Sequence, residues 1–185
     1  MADPHSFLYV WDDRFLYATP SMPAHRTRRY SVTLLVSVDG RPFWLHDKAG
    51  AAQQVQAVLI APNVERSVEV TDSGYLSLNL DPDSLDYHAL RHLLGERAWL
   101  VLDYAAFSST LLRVQQLMAA QLSSAEAFIL SADLVGAVTR YRSADLLIDL
   151  RVLHVARVLR SQLPLTPPVA ALAASVGLSP SRLKH

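Results

Sequence analysis

The hydrophobic pattern of this chain changes its period once, near residue 82. Before that point apolar residues alternate with period two, as in Tyr30 to Val38, and this pattern is typical of β-strands. After Asp83 the apolar residues recur every three or four positions, which indicates amphipathic helices. The sequence therefore predicts an α+β fold whose first half is β-rich and whose second half is helical.

Short turns divide the first half into six to eight predicted strands, spaced about ten residues apart. Asp12-Asp13 predicts a hairpin between residues 7–11 and 15–19, and Asp39-Gly40 predicts a second one after residue 38. Residues 53–61 alternate as one further strand. Strands of this number and length predict a β-sandwich or a small barrel.

The second half predicts helices over residues 84–94, 107–122, 124–140 and 144–162, with Ser124 and Ser143 as N-caps. The helix over 107–122 carries one apolar stripe. Two readings of the stripe stay open, because it can form a dimer interface or pack on its own domain. Its members are Phe107, Leu111, Val114, Met118 and Leu122.

The segment from Leu165 to His185 has the pattern of two helices joined by a tight turn. Thr166 is a candidate N-cap, and Gly177 stands where the first helix should end in a left-handed conformation. Ser179 and Pro180 are typical of the start of a second helix. This pattern predicts a helix-turn-helix, the motif whose second helix enters the major groove of DNA.

The charge balance is neutral, with 17 Lys and Arg against 17 Asp and Glu in 185 residues. A self-sufficient DNA-binding protein usually carries a basic excess, so neutrality favours a sensing or dimerisation region. There is no cysteine, no signal-peptide pattern and no run of about 18 uncharged apolar residues. We expect a cytoplasmic protein without a membrane partner.

Catalytic and metal-binding patterns are weak throughout the sequence. His25 has no second histidine close to it in the sequence that could share a metal ion, and His88 and His92 form the best spaced pair. Solvated or capping roles are the more common ones for such histidines. We therefore expect no catalytic residue, no metal and no cofactor.

A small-molecule cavity inside the β-rich half is the most plausible site. The alternative is that the same residues simply fill a core. The basic cluster Arg26, Arg28 and Arg29 could meet an anionic ligand or could lie in a solvated loop. The candidate lining combines aromatic or polar residues with apolar strand residues: Tyr30, Val32, Leu34, Trp44, His46 and Tyr75.

Residues 172–183, Leu-Ala-Ala-Ser-Val-Gly-Leu-Ser-Pro-Ser-Arg-Leu, resemble the first helix-turn-helix of the AraC/XylS family of transcription regulators. Residues 150–163 resemble the helix that opens the family's DNA-binding domain. More loosely, residues 58–63 (Val-Leu-Ile-Ala-Pro-Asn) and the Asp39-Gly40 turn are similar to its cupin-like sensor domain. The resemblance covers the whole chain, but only about the last 35 residues carry it with specificity.

The resemblance implies three regions: a cupin-like sensor over 1–82, a helical dimerisation region over 83–163, and an incomplete helix-turn-helix over 164–185. It implies a homodimer that senses a small effector. Family members continue for some seventy residues more, so DNA is expected as a partner only of a longer parent protein. There the DNA contacts would come from Ser181, Arg182, Lys184 and His185.

Two other functions remain open at this point. A metal-dependent cupin enzyme would require a bound metal. A ligand-free interaction module would require a sandwich whose interior is filled by side chains. The presence of a metal site separates the first from a sensor, and the cavity volume separates the second.

Overall fold

The computed structural model describes residues 6–71, 74–139, 150–161 and 167–184. The chain divides into two compact units, residues 1–144 and 145–185, so the predicted helical region 83–163 is shared between them. In the first unit the strands are β1 Phe7–Val10, β2 Arg14–Thr19, β3 Met22–Thr27, β4 Val32–Ser37, β5 Phe43–His46, β6 Ala52–Val55, β7 Ala57–Ile60, β8 Arg66–Val70, β9 Tyr75–Leu80 and β10 Trp99–Val101. Its helices are α1 Leu85–Leu94, a 3-10 turn Tyr104–Phe107, α2 Leu111–Met118 and α3 Ser124–Thr139.

The strands form two antiparallel sheets, which confirms the predicted α+β class with a β-sandwich. The larger sheet has the order β1-β2-β9-β4-β7-β10, and the smaller has the order β3-β8-β5-β6. Buried side chains such as Leu35 and Ile60 from the larger sheet meet Phe43, Leu45 and Val68 from the smaller one. This inter-sheet core joins the two layers, as in other aligned sandwiches.

The helices cover the other face of the larger sheet. Residues of opposite parity on the same strands, including Leu34, Leu59 and Leu78, are fully buried against Leu90 and Leu130 of α1 and α3. Both faces of β4 and β9 are therefore buried, including the polar residues Thr33 and Asn79. The order of layers is helices, larger sheet, smaller sheet.

Two predicted strand features are wrong, and both errors arise where the chain crosses between sheets. β4 pairs with β7 and β9, so Asp39-Gly40 leads from one sheet to the other and does not close a hairpin. The predicted strand over 53–61 divides at Gln56 into β6 of the smaller sheet and β7 of the larger. Period two is kept across such a crossing, so alternation alone does not reveal it.

The helix predicted over 107–122 is also interrupted. Phe107 ends a 3-10 turn, α2 begins at Leu111, and α2 ends before Ala120, which adopts a positive φ of 58°. The N-cap of α3 is Ser123 and not Ser124. The Ser123 amide donates to the Glu126 carboxylate at 2.8 Å, and the Glu126 amide donates to the Ser123 hydroxyl at 3.3 Å, which is a capping box.

The predicted dimer stripe packs inside its own unit. Phe107 and Val114 are fully buried in the core beneath the helices, and Leu111, Met118 and Leu122 are partly buried against it. The face of α2 and α3 that remains exposed carries Leu112 and Ile129, 67% and 52% exposed. The stripe is needed to cover the larger sheet, so the second of its two readings fits the structure.

In the second unit, α4 covers Leu150–Ser161, α5 covers Val169–Ser175 and α6 covers Pro180–Lys184. Gly177 has φ +67°, its amide donates to Ala174 at 3.2 Å, and the Leu178 amide donates to Ala173 at 2.9 Å. This pair of bonds is a Schellman cap. The Ser179 hydroxyl then accepts the Arg182 amide at 3.2 Å as an N-cap. The predicted succession of helix, glycine turn and helix is present, while the predicted N-caps Ser143 and Thr166 lie outside the described residues.

Candidate ligand-binding site

A cavity of about 370 Å³ lies between the two sheets, beside the inter-sheet core. Its volume is at the lower end of the range of roughly 300–1,000 Å³ found for small-molecule pockets. Apolar and aromatic side chains form most of the wall, and a few polar groups project from β2, β3, β8 and β9. The described lining residues are Leu8, Phe15, Tyr17, Met22, His25, Thr27, Arg29, Leu35, Arg66, Val68, Tyr75 and Ser77.

Of the six residues predicted to line a cavity, the structure places only Tyr75 on its wall. Val32 and Leu34 lie on the helix-covered face of β4 and belong to that core. Their neighbour Leu35 has the opposite parity and faces the cavity. The sequence shows which residues share a face, but with both faces apolar it does not show which face meets the second sheet.

The remaining three predicted residues are also away from the cavity. The Tyr30 side chain is 59% exposed and its hydroxyl donates to Asp81 at 3.3 Å. Trp44 and His46 are two residues apart on β5, so both project from the opposite face to Phe43 and Leu45, which are buried in the inter-sheet core. His46 Nε2 lies 3.5 Å from Glu69 Oε2.

Arg66 is the most unusual residue of the cavity wall, because it is a cation that is only 3% exposed. Its guanidinium donates to the Val64 carbonyl at 3.3 Å and to the Thr33 hydroxyl at 3.1 Å. Its Nε–H is buried and donates no hydrogen bond within the described part of the chain. Burial, and then the nearby Arg29, lower the pKa of Arg66 to about 10.

Arg66 was not among the residues predicted to line a cavity, although the sequence contains a signal for it. Along β8, Arg66 has the same parity as Val68 and Val70, both of which are buried in the inter-sheet core. A charged residue on the apolar face of a strand is the exception that marks a site, since an unpaired buried charge costs folding free energy.

The Tyr75 hydroxyl is a second hydrogen-bond donor on the wall that lacks a strong acceptor. Its side chain is 4% exposed, and its hydroxyl donates to the Met22 thioether sulfur at 3.2 Å, a weak acceptor. Burial raises the pKa of Tyr75 to about 12, so the phenol stays protonated at neutral pH. Its ring packs edge-on against Tyr17, with the ring centroids 6.3 Å apart.

The cavity wall is positively charged. Arg29 lies with its guanidinium 5.2 Å from the centroid of the Phe15 ring, and none of the described lining residues is Asp or Glu. Of the basic cluster considered from the sequence, Arg29 alone lines this cavity. Arg26 is 75% exposed and pairs with Glu65 at 3.6 Å, and Arg28 lines a separate surface depression.

Arg14 joins the strand that carries Phe15 and Tyr17 to the helices. It is 7% exposed, binds Asp13 through two hydrogen bonds of 2.9 and 3.0 Å, and forms an ion pair of 2.9 Å with Asp86 of α1. Its guanidinium also lies 5.0 Å from the centroid of the Phe128 ring of α3, and it donates to Ser131 of α3 at 3.4 Å. One side chain thus connects β2, α1 and α3.

The residues predicted to contact DNA are placed only in part. Ser181 and Arg182 are exposed on α6. The Lys184 side chain and the whole of His185 lie outside the described residues. Their role in base contact stays a prediction.

The described ranges contain neither a metal-binding cluster nor a membrane-spanning helix. No group of three or more His, Cys, Asp or Glu there could hold a metal ion. No helix among these residues has the length and apolar character needed to cross a membrane.

No protein-family model matches the sequence, and no curated protein sequence matches it. Solved structures similar to it include the AraC-like transcriptional activator CuxR (11% identity, 92% of this chain, 68% of that chain, TM-score 0.48). ToxT from Vibrio cholerae with a bound unsaturated fatty acid is similar at 14% identity (100% and 74%, TM-score 0.47). A cupin protein from Bacteroides fragilis is similar at 15% identity (46% and 83%, TM-score 0.37). The solved structures similar to this chain thus include AraC-like regulators over most of its length and cupins over less than half of it.

Proposed function

We propose that this chain is the effector-sensing and dimerisation portion of an AraC-type transcription regulator, acting in the cytoplasm. The observation that carries the proposal is the Gly177 turn, where a Schellman cap ends α5 and a Ser179 cap begins α6. This is the local geometry of a helix-turn-helix, and it occurs in a chain whose other unit contains a cavity in a β-sandwich. The cavity would hold a small effector, and the helix-turn-helix would belong to the DNA-reading part.

The strand β2 offers a physical route from effector to helices. Phe15 and Tyr17 line the cavity on one face of β2, and Arg14 leaves the other face to bind α1 and α3. A ligand that changes the twist or position of β2 would change the strength of these contacts. The ligand can shift a conformational equilibrium only by its differential affinity for the two states, and Arg14 is where we place that difference.

The two alternative functions are less well supported. A metal-dependent cupin enzyme needs three or four converging ligands, and we find no such group within the described ranges. A ligand-free interaction module needs a filled interior, whereas the sandwich has a cavity of about 370 Å³. Its volume and aromatic walls favour a sensor.

Homodimerisation stays part of the proposal, but the interface would not be the apolar stripe predicted from the sequence. The predicted stripe is used in the core, so a dimer would use the exposed outer face of α2 and α3, which carries Leu112 and Ile129. We expect the I129E/L112E double variant to shift a dimer toward monomer in sedimentation velocity. An unchanged dimer would place the interface elsewhere.

The sensing role can be tested on the 185-residue chain with the side-chain NMR signals of its three tryptophans. Trp11 packs edge-on against Phe128, with ring centroids 5.4 Å apart, next to Arg14, whereas Trp44 lies on the distant outer face of the smaller sheet. We expect small molecules that bind in the cavity, against Tyr17 and Tyr75, to shift the Trp11 signal and leave the Trp44 signal unchanged. Ligands that fill the cavity without affecting Trp11 or α3 would contradict the coupling.

The DNA part has a separate test. In this chain α6 contains five residues, fewer than two helical turns, which is short for a recognition helix. We expect no sequence-specific DNA affinity at physiological salt. A mobility shift by the 185-residue chain with a preferred operator sequence would contradict this proposal.

A further inference from the structure

We infer that the cavity between the sheets is built for a compact carboxylate, held by Arg66 and Tyr75, with an aromatic or short aliphatic body against Phe15 and Tyr17. The inference rests on the proposed sensing function and adds the chemical class of the effector. The observation behind it is that two polar groups on an otherwise apolar wall, the Arg66 guanidinium and the Tyr75 hydroxyl, lack strong hydrogen-bond acceptors.

The first argument is the charge of Arg66. A buried guanidinium normally has a carboxylate partner, because an unpaired charge loses its hydration without compensation. Here its two protein acceptors are a carbonyl and a hydroxyl, both neutral, and its Nε–H has no acceptor among the described residues. Arg29, a second cation on the cavity wall, adds repulsion. An anion in the cavity would relieve both costs.

The second argument is the polar chain behind Arg66, which fixes its position. The Thr33 hydroxyl accepts from Arg66 and donates to Asn79 Oδ1 at 3.0 Å, and Asn79 Nδ2 donates to the Ser77 hydroxyl at 2.9 Å. All of these side chains are buried. The guanidinium is therefore preorganised by groups that do not neutralise it, which suits reversible binding of an anion.

The third argument concerns the body of the ligand. Tyr75 can exchange its weak thioether acceptor for a carboxylate oxygen, which would be a charge-assisted hydrogen bond. The Phe15, Tyr17 and Tyr75 rings and the Met22 and Leu35 side chains supply an apolar wall for the rest of the molecule. Inorganic phosphate would leave that wall in contact with water. The volume of about 370 Å³ suits a small molecule.

The test compares benzoate with benzamide, which have nearly the same shape and differ in charge. Binding of each compound to the full chain is measured by calorimetry at pH 7, and benzamide is then tested for its ability to displace bound benzoate. We expect benzoate to bind at least about tenfold more tightly, since hydrogen bonds to a charged group are stronger than those between neutral groups. Equal binding of the two compounds, or no binding of benzoate, would overturn the inference.

The variants R66M and R66K locate the preference, and R26M is the matched control on an exposed arginine. We expect R66M to lose the preference for benzoate, R66K to keep part of it, and R26M to keep all of it. Without ligand, R66M should melt at the same temperature as the wild type or higher, because an unpaired buried charge is removed. A folded R66M that retains the preference would overturn the inference.

Two further outcomes separate this inference from the sensing function. If benzamide fills the cavity and shifts the Trp11 signal as strongly as benzoate, the sensor stands and the carboxylate assignment falls. If inorganic phosphate displaces benzoate at equal concentration, the anion site is real but the ligand class is wrong. Because Tyr75 is a direct contact, we expect Y75F to weaken benzoate severalfold and benzamide less.

Discussion

The two faces of the larger sheet are both buried, yet they are built from different residues. The face beneath the helices carries aliphatic side chains such as Leu34, Leu59 and Leu78, which are fully buried in one core with α1 and α3. The face toward the smaller sheet adds Thr33 and Asn79 to its apolar residues and borders the cavity. One face contributes stability through close packing, and the other gives up part of that packing to leave room for a ligand.

The strongest test of this comparison is to truncate neighbouring leucines on opposite faces. We expect L34A to lower the free energy of unfolding by about 2–5 kcal/mol, because it opens a void in a close-packed core. L35A should cost less, because Leu35 already borders the cavity. Urea unfolding of both variants checks the order. Equal losses would mean that the two faces are packed alike.

The next largest effect should come from the contacts that connect β2 with the helices α1 and α3. R14M removes a guanidinium that binds Asp13, Asp86 and Ser131. Asp13 and Asp86 are only about one-third exposed, so we expect a loss of roughly 1–3 kcal/mol, less than for a fully buried pair. Chemical denaturation measures it, with the exposed R41M as control. In R14M the Trp11 signal should no longer follow a cavity ligand.

A smaller effect tests the helical layer alone. S123A removes the N-cap of α3, and we expect a loss of about 1 kcal/mol. S124A, at the exposed first residue of the helix, is the matched control and should have little effect. Neither change should alter ligand binding, since the cap is remote from the cavity wall. Thermal unfolding with and without benzoate would reveal any such dependence.

The smallest effect is a dependence on pH. The hydrogen bond from Arg14 lowers the pKa of Asp13 below its ordinary value of 3.8. The unfolded state therefore binds more protons in acid, so this stabilisation is complete above pH 3.8 and is lost as the pH falls through the folded pKa. D13N should flatten the loss of stability between pH 5 and pH 2. A loss of stability in D13N as steep as that of the wild type between pH 5 and pH 2 would contradict this assignment.

Much of the fold could be predicted from the sequence, because its signals are local. Alternation identified the strand β4, the helical period identified α1, and Gly177 marked the turn between α5 and α6. The connections were harder. The crossings between sheets at Gly40 and Gln56 leave the hydrophobic period unchanged, so nothing in the pattern distinguishes them from a hairpin or a continuous strand.

The candidate site was less predictable. The sequence grouped Val32 and Leu34 correctly on one face of β4, but which layer covers that face depends on the whole sheet order. The useful local signal was a charged residue in the apolar register of a strand. Arg14 precedes Leu16 and Ala18 in this way, as Arg66 precedes Val68 and Val70. These two arginines proved to be the groups that connect the layers and charge the cavity.

The buried guanidinium on β8 has a consequence for how the protein would be handled in the laboratory. If its counter-charge comes from the effector, the empty protein folds with an electrostatic penalty that the occupied protein does not bear. Its melting temperature would then rise with the concentration of ligand, by linkage between binding and folding. Purification in a buffer that supplies a fitting organic acid should give more folded material, so the yield itself would report on what the sandwich binds.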